Sequence, residues 1–121
     1  MLDKLYLIRY NISMKKILYY RTSDGKYPYW AWHDKLDNSI AVKIDARIDR
    51  LEENNYGDYK RIDSDIFELR FKIGKGYRIY FTEYGNYLII ILAGGDKSTQ
   101  VKDIKKAKEY FKDLQERYKN G

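Results

Sequence analysis

The chain has 121 residues, 44% hydrophobic and 35% charged, with no cysteine and a formal net charge of +6. Those values describe one globular domain with a modest core and exclude a disordered chain, a disulfide framework and thiolate metal sites. With a single histidine, His33, and no apolar run near the roughly 20 residues that span a bilayer, neither a metal, nor another cofactor, nor a membrane is expected.

Residues 1–15 read as an N-terminal extension ahead of a single domain over 16–121. Leu5–Ile8 is too short and too flanked by charge for a secretory signal, and Met14-Lys15-Lys16-Ile17 resembles a second start. With no cysteine, the cytoplasm is the expected compartment. A first strand covers Ile17 to Arg21, and Asp24-Gly25 turns the chain. Pro28 suits the first position of a short helix to Leu36, since its missing N–H has no partner there anyway. Asp37-Asn38-Ser39 offers a cap for a second helix, in which Ile40, Ile44, Ile48 and Leu51 recur at helical spacing. Asn54–Gly57 ends it. A short strand, Tyr59 to Ile62, precedes a strictly alternating one: Phe67, Leu69, Phe71 and Ile73 on one face, Glu68, Arg70 and Lys72 on the other. Gly74-Lys75-Gly76 turns into a strand from Tyr77 to Thr82. After Tyr84-Gly85-Asn86 an uncharged strand runs from Tyr87 to Ala93, and Gly94-Gly95 reads as a turn that delivers Lys97 to the rim of the sheet. Asp96 either caps the last helix or orients Lys97. That helix, about Thr99 to Arg117, carries an apolar stripe of Ile104, Ala107, Phe111, Leu114 and Tyr118. The predicted fold is α+β: a strand, two helices, an antiparallel meander and a C-terminal helix.

The charge is uneven. Residues 68–121 hold 12 basic and 7 acidic groups, whereas residues 37–67 hold 5 and 8. A basic C-terminal half suits a polyanion such as nucleic acid, and equally suits a merely soluble surface. Glu68, Arg70 and Lys72 share one strand face, Arg78 approaches it across the Gly74–Gly76 turn, and Lys97 arrives from the next strand. Tyr80 falls on the Arg78 face by parity, where it could stack on a base. Such a cluster is either a solvated face with cross-strand ion pairs or a groove for phosphates. Metal-free RNA cleavage needs a base for the ribose 2′-hydroxyl, cations for the phosphorane and an acid for the leaving 5′-oxygen. Glu68 is placed to be the base or an orienting carboxylate, with Arg70, Arg78 and Lys97 as the cations. Lys72 is an outer phosphate contact. Lys102 and Lys105, on the polar face of the last helix, are either plain solvated lysines or further phosphate contacts.

Phe67-Glu-Leu-Arg70, Gly76-Tyr-Arg-Ile-Tyr80, and Leu92-Ala-Gly-Gly-Asp-Lys-Ser-Thr-Gln100 with Asp103–Lys108 resemble the addiction-module killer proteins. These are the phage-derived Gp49-like or HigB-type toxins of the RelE/ParE superfamily. The likeness extends in order over residues 16–117, through Tyr20–Gly25, Pro28-Tyr29 and Asn55–Asp58. It implies a RelE-like fold and a type II toxin that cleaves mRNA on the ribosome, held in check by an antitoxin carrying a helix-turn-helix domain. It also implies that Arg70, Arg78 and Lys97 occupy catalytic or phosphate-binding positions. Glu68 stands where well-known members have lysine, and no tyrosine stands near Asp103 on the last helix. A gyrase inhibitor of the ParE type and a non-catalytic nucleic-acid-binding protein of phage origin are the alternatives.

Overall fold

The computed structural model describes residues 14–119. All but Met14 and Lys15 of the expected extension lie outside the described residues. Five strands form one sheet in the order β1-β5-β4-β3-β2: β1 Lys16–Tyr19, β2 Tyr59–Arg61, β3 Phe67–Arg70, β4 Arg78–Tyr84 and β5 Leu88–Gly95. β1 joins β5 in parallel, and every other pairing is antiparallel. Helices α1 (Pro28–His33) and α2 (Asn38–Glu52) come before the meander, and α3 (Gln100–Lys119) follows it.

Each sheet face has its own core. The α2 stripe behaves as its spacing predicts: Ile44, Ile48 and Leu51 are buried against Leu69, Ile79, Phe81, Ile89 and Ile91, with Tyr29 from α1 beside them. On the opposite face Ala107 and Leu114 of α3 bury Ile66, Tyr80, Ile90 and Leu92. Each large apolar side chain so enclosed contributes about 1.5–3 kcal/mol. Polar alternation on β3 therefore does not mark a wet face, because α3 lies over that side of the sheet.

The helix ends follow local chemistry. Pro28 opens α1 as expected, whereas the Asp37 side chain makes no capping bond to α2. Asn54, at φ 63°, takes the left-handed conformation that stops α2. Asp96 is a cap: its carboxylate accepts the Ser98 N–H at 2.8 Å, and Thr99 Oγ1 accepts the Asp96 N–H at 3.2 Å. Lys97–Thr99 form a 3₁₀ turn leading into α3. Hydrogen bonds from Ser98, above all from its hydroxyl, hold the Asp96 carboxyl below its usual range.

Two expectations about β3 and β5 change. β3 ends at Arg70, so the alternation does not carry Lys72 onto the Glu68 face. Gly94 and Gly95 are not a turn but the last residues of β5, paired with Ile79 and Arg78. A bulge opposite Tyr80/Phe81 makes Leu92 an extra residue, and Leu92 and Ala93 both join the α3-side core. The two glycines then face opposite helices at close range. A methyl on Gly94 would lie 2.2 Å from Trp32 Cε3, and one on Gly95 would lie 1.8 Å from Asp103 Oδ2. Glycine is needed here for space.

The start of β1 is pinned to α2 and to the central strand β4. Lys15 N–H donates to the Glu52 carbonyl at 2.8 Å, and its ammonium binds Glu83 at 2.8 Å and the Tyr56 hydroxyl. Burial by itself would raise the Glu83 pKa, yet the bonds from Lys15 and Tyr56 outweigh it and lower it from about 4.5.

Two outcomes follow from this packing. Gly94→Ala should lower the urea-unfolding free energy by about 1–3 kcal/mol, and in a Trp32→Ala background it should cost clearly less; equal costs would mean that the two residues do not touch. Because the folded Glu83 pKa is depressed, its contribution is present above the unfolded carboxylate's pKa and lost as pH falls through the folded value. The stability difference between wild type and Glu83→Gln, measured by urea titration, should therefore shrink below about pH 4.5.

Candidate nucleic-acid interface

The β3/β4 register sets Glu68 beside Tyr80 and Arg70 beside Arg78. Glu68 is 1% exposed, beneath the first turn of α3. A carboxylate so buried costs several kcal/mol unless it is paired and hydrogen-bonded. Both its oxygens are engaged: Arg78 Nη1 donates to Oε1 at 3.1 Å and Gln100 Nε2 to Oε2 at 2.8 Å. Glu68 is thus shut away from any ribose hydroxyl, and the expectation of a general base is corrected to that of an orienting carboxylate. It fixes the Arg78 side chain, which is only 15% exposed.

Tyr80 is corrected too. It is completely buried, so its ring is no platform for a base. Its hydroxyl lies beside Glu68 without forming a well-made hydrogen bond, and burial, followed by the Glu68 charge, pushes its pKa far up. Arg70 stands at the open end of β3, held at 3.1 Å by Asp58. Its carbonyl accepts Arg47 Nη1, and Arg47 Nη2 binds the carbonyls of Tyr56 and Asp58, so α2 clamps the ends of β2 and β3. Lys72 leaves the group altogether: it lines a separate recess with Lys43, Arg47 and Arg50 of α2.

Lys97, Lys102 and Lys105 do come together. They border one open hollow of about 500 Å³ around the start of α3. Lys97 is tied at its backbone to the β3–β4 turn, donating to the Lys75 carbonyl at 3.3 Å, while its side chain is exposed. None of the three has an ion-pair partner among the described residues. Arg78 pairs with Gly95, two residues before Lys97, so the strut-held guanidinium and the free ammonium stand at the same end of the sheet. Among the described residues no three His, Asp or Glu side chains are grouped to hold a metal, and no helix is long and apolar enough to cross a membrane.

A second recess, a cleft of about 350 Å³, lies between α1 and α3 along the last residues of β5. Thr99 and Lys102 belong to both recesses. The sequence reading did not bring its principal residues, Trp32, Lys35, Asp103 and Lys106, together as one site. The available signal was the Gly94-Gly95 pair, since adjacent glycines in a strand mark close approach on both faces.

A sheet with two helices packed on one side and a long C-terminal helix on the other defines the RelE-like class of small α+β domains. The chain superposes on a double arginine-to-alanine mutant of the E. coli toxin RelE in its free state, with a TM-score of 0.54 and 10% identity over 76% of this chain and 96% of that one. At that identity the likeness is one of fold. Residues 31–118 match the family described as Phage derived protein Gp49-like. An uncharacterized protein of Haemophilus influenzae is 51% identical over 85 residues, 69% of this chain and 86% of its own. The protein belongs to the phage-derived Gp49-like family.

Glu68→Ala strands the Arg78 guanidinium in its buried position and should cost about 3–5 kcal/mol of stability, as for other broken buried pairs. Urea denaturation measures it, and a loss below about 1 kcal/mol, the scale of an exposed pair, would mean that Glu68 is no strut.

Proposed function

We propose that the protein is the toxin of a type II toxin–antitoxin pair and a metal-independent endoribonuclease that cuts mRNA on the ribosome. The RelE-like fold and the Gp49-like family support a toxin. The observation that carries the nuclease reading is the end of the sheet itself, where Lys97, Lys102 and Lys105 surround one hollow without counter-ions among the described residues, beside a guanidinium fixed by Glu68. Unpaired cations held together on a rigid frame answer a polyanion.

In cleavage the 2′-oxygen attacks the adjacent phosphorus in line, the 5′-oxygen leaves, and negative charge builds on the non-bridging oxygens. Arg78, already oriented, stabilises that charge without reorganisation. Lys97 reaches the same phosphate from the turn after β5 and is the mobile cation for charge or for the leaving oxygen. Arg70, Lys102 and Lys105 hold the flanking backbone, and Lys72, on its separate recess, meets RNA farther away. The acting compartment is the cytoplasm, where mRNA and ribosomes are. The partner that silences the protein is an antitoxin with a helix-turn-helix domain.

Lys97→Ala tests this reading, because the side chain is exposed and its loss leaves the core untouched. Expressed without its neighbouring gene product, the wild-type protein should arrest growth and generate new mRNA 5′ ends detected by primer extension. Lys97→Ala should cut that cleavage by about 10²-fold with an unchanged unfolding midpoint. Arrest with intact mRNA and DNA-damage signalling would instead point to gyrase.

A further inference from the structure

We infer that the cleft between α1 and α3 is a base-binding pocket that selects guanine, with Asp103 as the residue that reads it. The inference rests on the RNA-cleaving reading and specifies which nucleotide that surface accepts.

The cleft has the composition of a nucleotide site. Its volume, about 350 Å³, lies within the range of small-molecule pockets and exceeds what one base requires. Trp32 and Tyr110 supply aromatic walls, and Lys35, Lys102 and Lys106 supply positive charge. Tyr110 is stacked on Tyr20 with centroids 4.7 Å apart, and Trp32 is seated against Gly94, so both walls are held in place before any ligand arrives. Unstacked RNA bases are recognised on such surfaces, by an aromatic neighbour and by hydrogen bonds to the Watson–Crick edge.

Asp103 supplies the selectivity. It is 8% exposed, an uncommon degree of burial for an aspartate, and it lines the cleft against the Cα of Gly95. Thr99 Oγ1 donates to its Oδ2, while Oδ1 accepts no hydrogen bond among the described residues. A carboxylate is an acceptor only. Guanine alone presents two adjacent donors, N1–H and the N2 amino group, to such an acceptor pair, and its neighbouring O6 suits an ammonium from Lys102 or Lys106, which flank Asp103 on α3. Adenine and cytosine each set a ring-nitrogen acceptor beside their amino donor, and uracil flanks its single donor with two carbonyls. Those three bases therefore place lone pairs against the carboxylate. The location fits a strand of RNA, because Thr99 and Lys102 are shared with the cationic hollow beside Lys97. A backbone lying in the hollow delivers an adjoining base to the cleft.

The test separates base recognition from catalysis. Binding of 5′-GMP and 5′-AMP to the purified full-length protein is followed by tryptophan fluorescence and by NMR shifts of the Trp32 indole. GMP should bind about tenfold or more tighter than AMP, the scale of one bidentate base contact. Asp103→Asn should bring that ratio close to one. Lys35→Gln, an exposed change, should weaken both nucleotides alike and leave the ratio unchanged. Equal binding of the two nucleotides by the wild type, or an unaltered ratio in a folded Asp103→Asn protein, overturns the proposal. If Asp103→Asn fails to fold, Tyr110→Ala decides: it should weaken both nucleotides, and undiminished binding overturns the proposal. Cleavage mapping adds an independent arm. Cuts beside guanosine that lose this preference in Asp103→Asn support the inference, whereas cuts without base preference reject it and leave the nuclease reading intact. GMP selectivity in a protein that cuts no RNA supports the pocket while removing the nuclease.

Discussion

The buried Glu68 carboxylate is the constraint on which the working end of the molecule depends. It sits on β3, takes a guanidinium from β4 and an amide from the first turn of α3, and thereby joins three elements that converge from different parts of the chain. A charge at 1% exposure is tolerated only if its partners stay in place. The direction of Arg78, the seating of α3 and the depth of the adjoining recess are consequently set together. An arginine on an exposed strand end would have many rotamers; this one is held by its partner.

Rigidity and freedom are divided sharply at that end of the sheet. Arg47 ties three carbonyls, and Asp96 and Thr99 close the turn before α3. Around these fixed groups stand Lys97, Lys102 and Lys105, with exposed side chains and no carboxylate partner among the described residues. On the proposed reading a polyanion would meet a prepared frame with adjustable contacts, so little ordering cost would fall on the frame itself.

Most of the fold was legible in the sequence because it depends on local chemistry. The Ile40–Leu51 spacing, Pro28, the glycine turns and the α3 stripe each specify their element directly, and the family motifs place those elements in order. The site was harder to read. Alternation along Phe67–Ile73 separates two faces but carries no information about what covers either one, so Glu68 and Tyr80 looked wet when α3 in fact buries them. The apolar residues of β5, buried on both sides, were the hint that no face of this sheet is open. Lys72 was misplaced because strict alternation was carried past Arg70, where β3 ends and the chain bends toward the Gly74–Gly76 turn. Lys102 and Lys105 were read as a helix face apart from Lys97, and it is the short 3₁₀ turn leading directly into α3 that brings all three around one hollow.

The bulge in β5 has a consequence for how this region can vary. With Leu92 as an extra residue, Gly94 meets Trp32 and Gly95 meets Asp103. Leu92 and Ala93 both face α3, so losing Leu92 would restore regular alternation with the later pairs unchanged. Losing one residue between Ala93 and Gly95 would instead exchange the two faces for everything downstream. Side chains would then be presented to the wrong helices, and the 3₁₀ turn with Lys97 would leave the sheet half a pleat out of phase. Relatives can change the residues of this strand within the limits of volume, yet its count beyond the bulge is fixed, and gaps in an alignment should avoid the stretch from Ala93 to Lys97 even where identities do not persist.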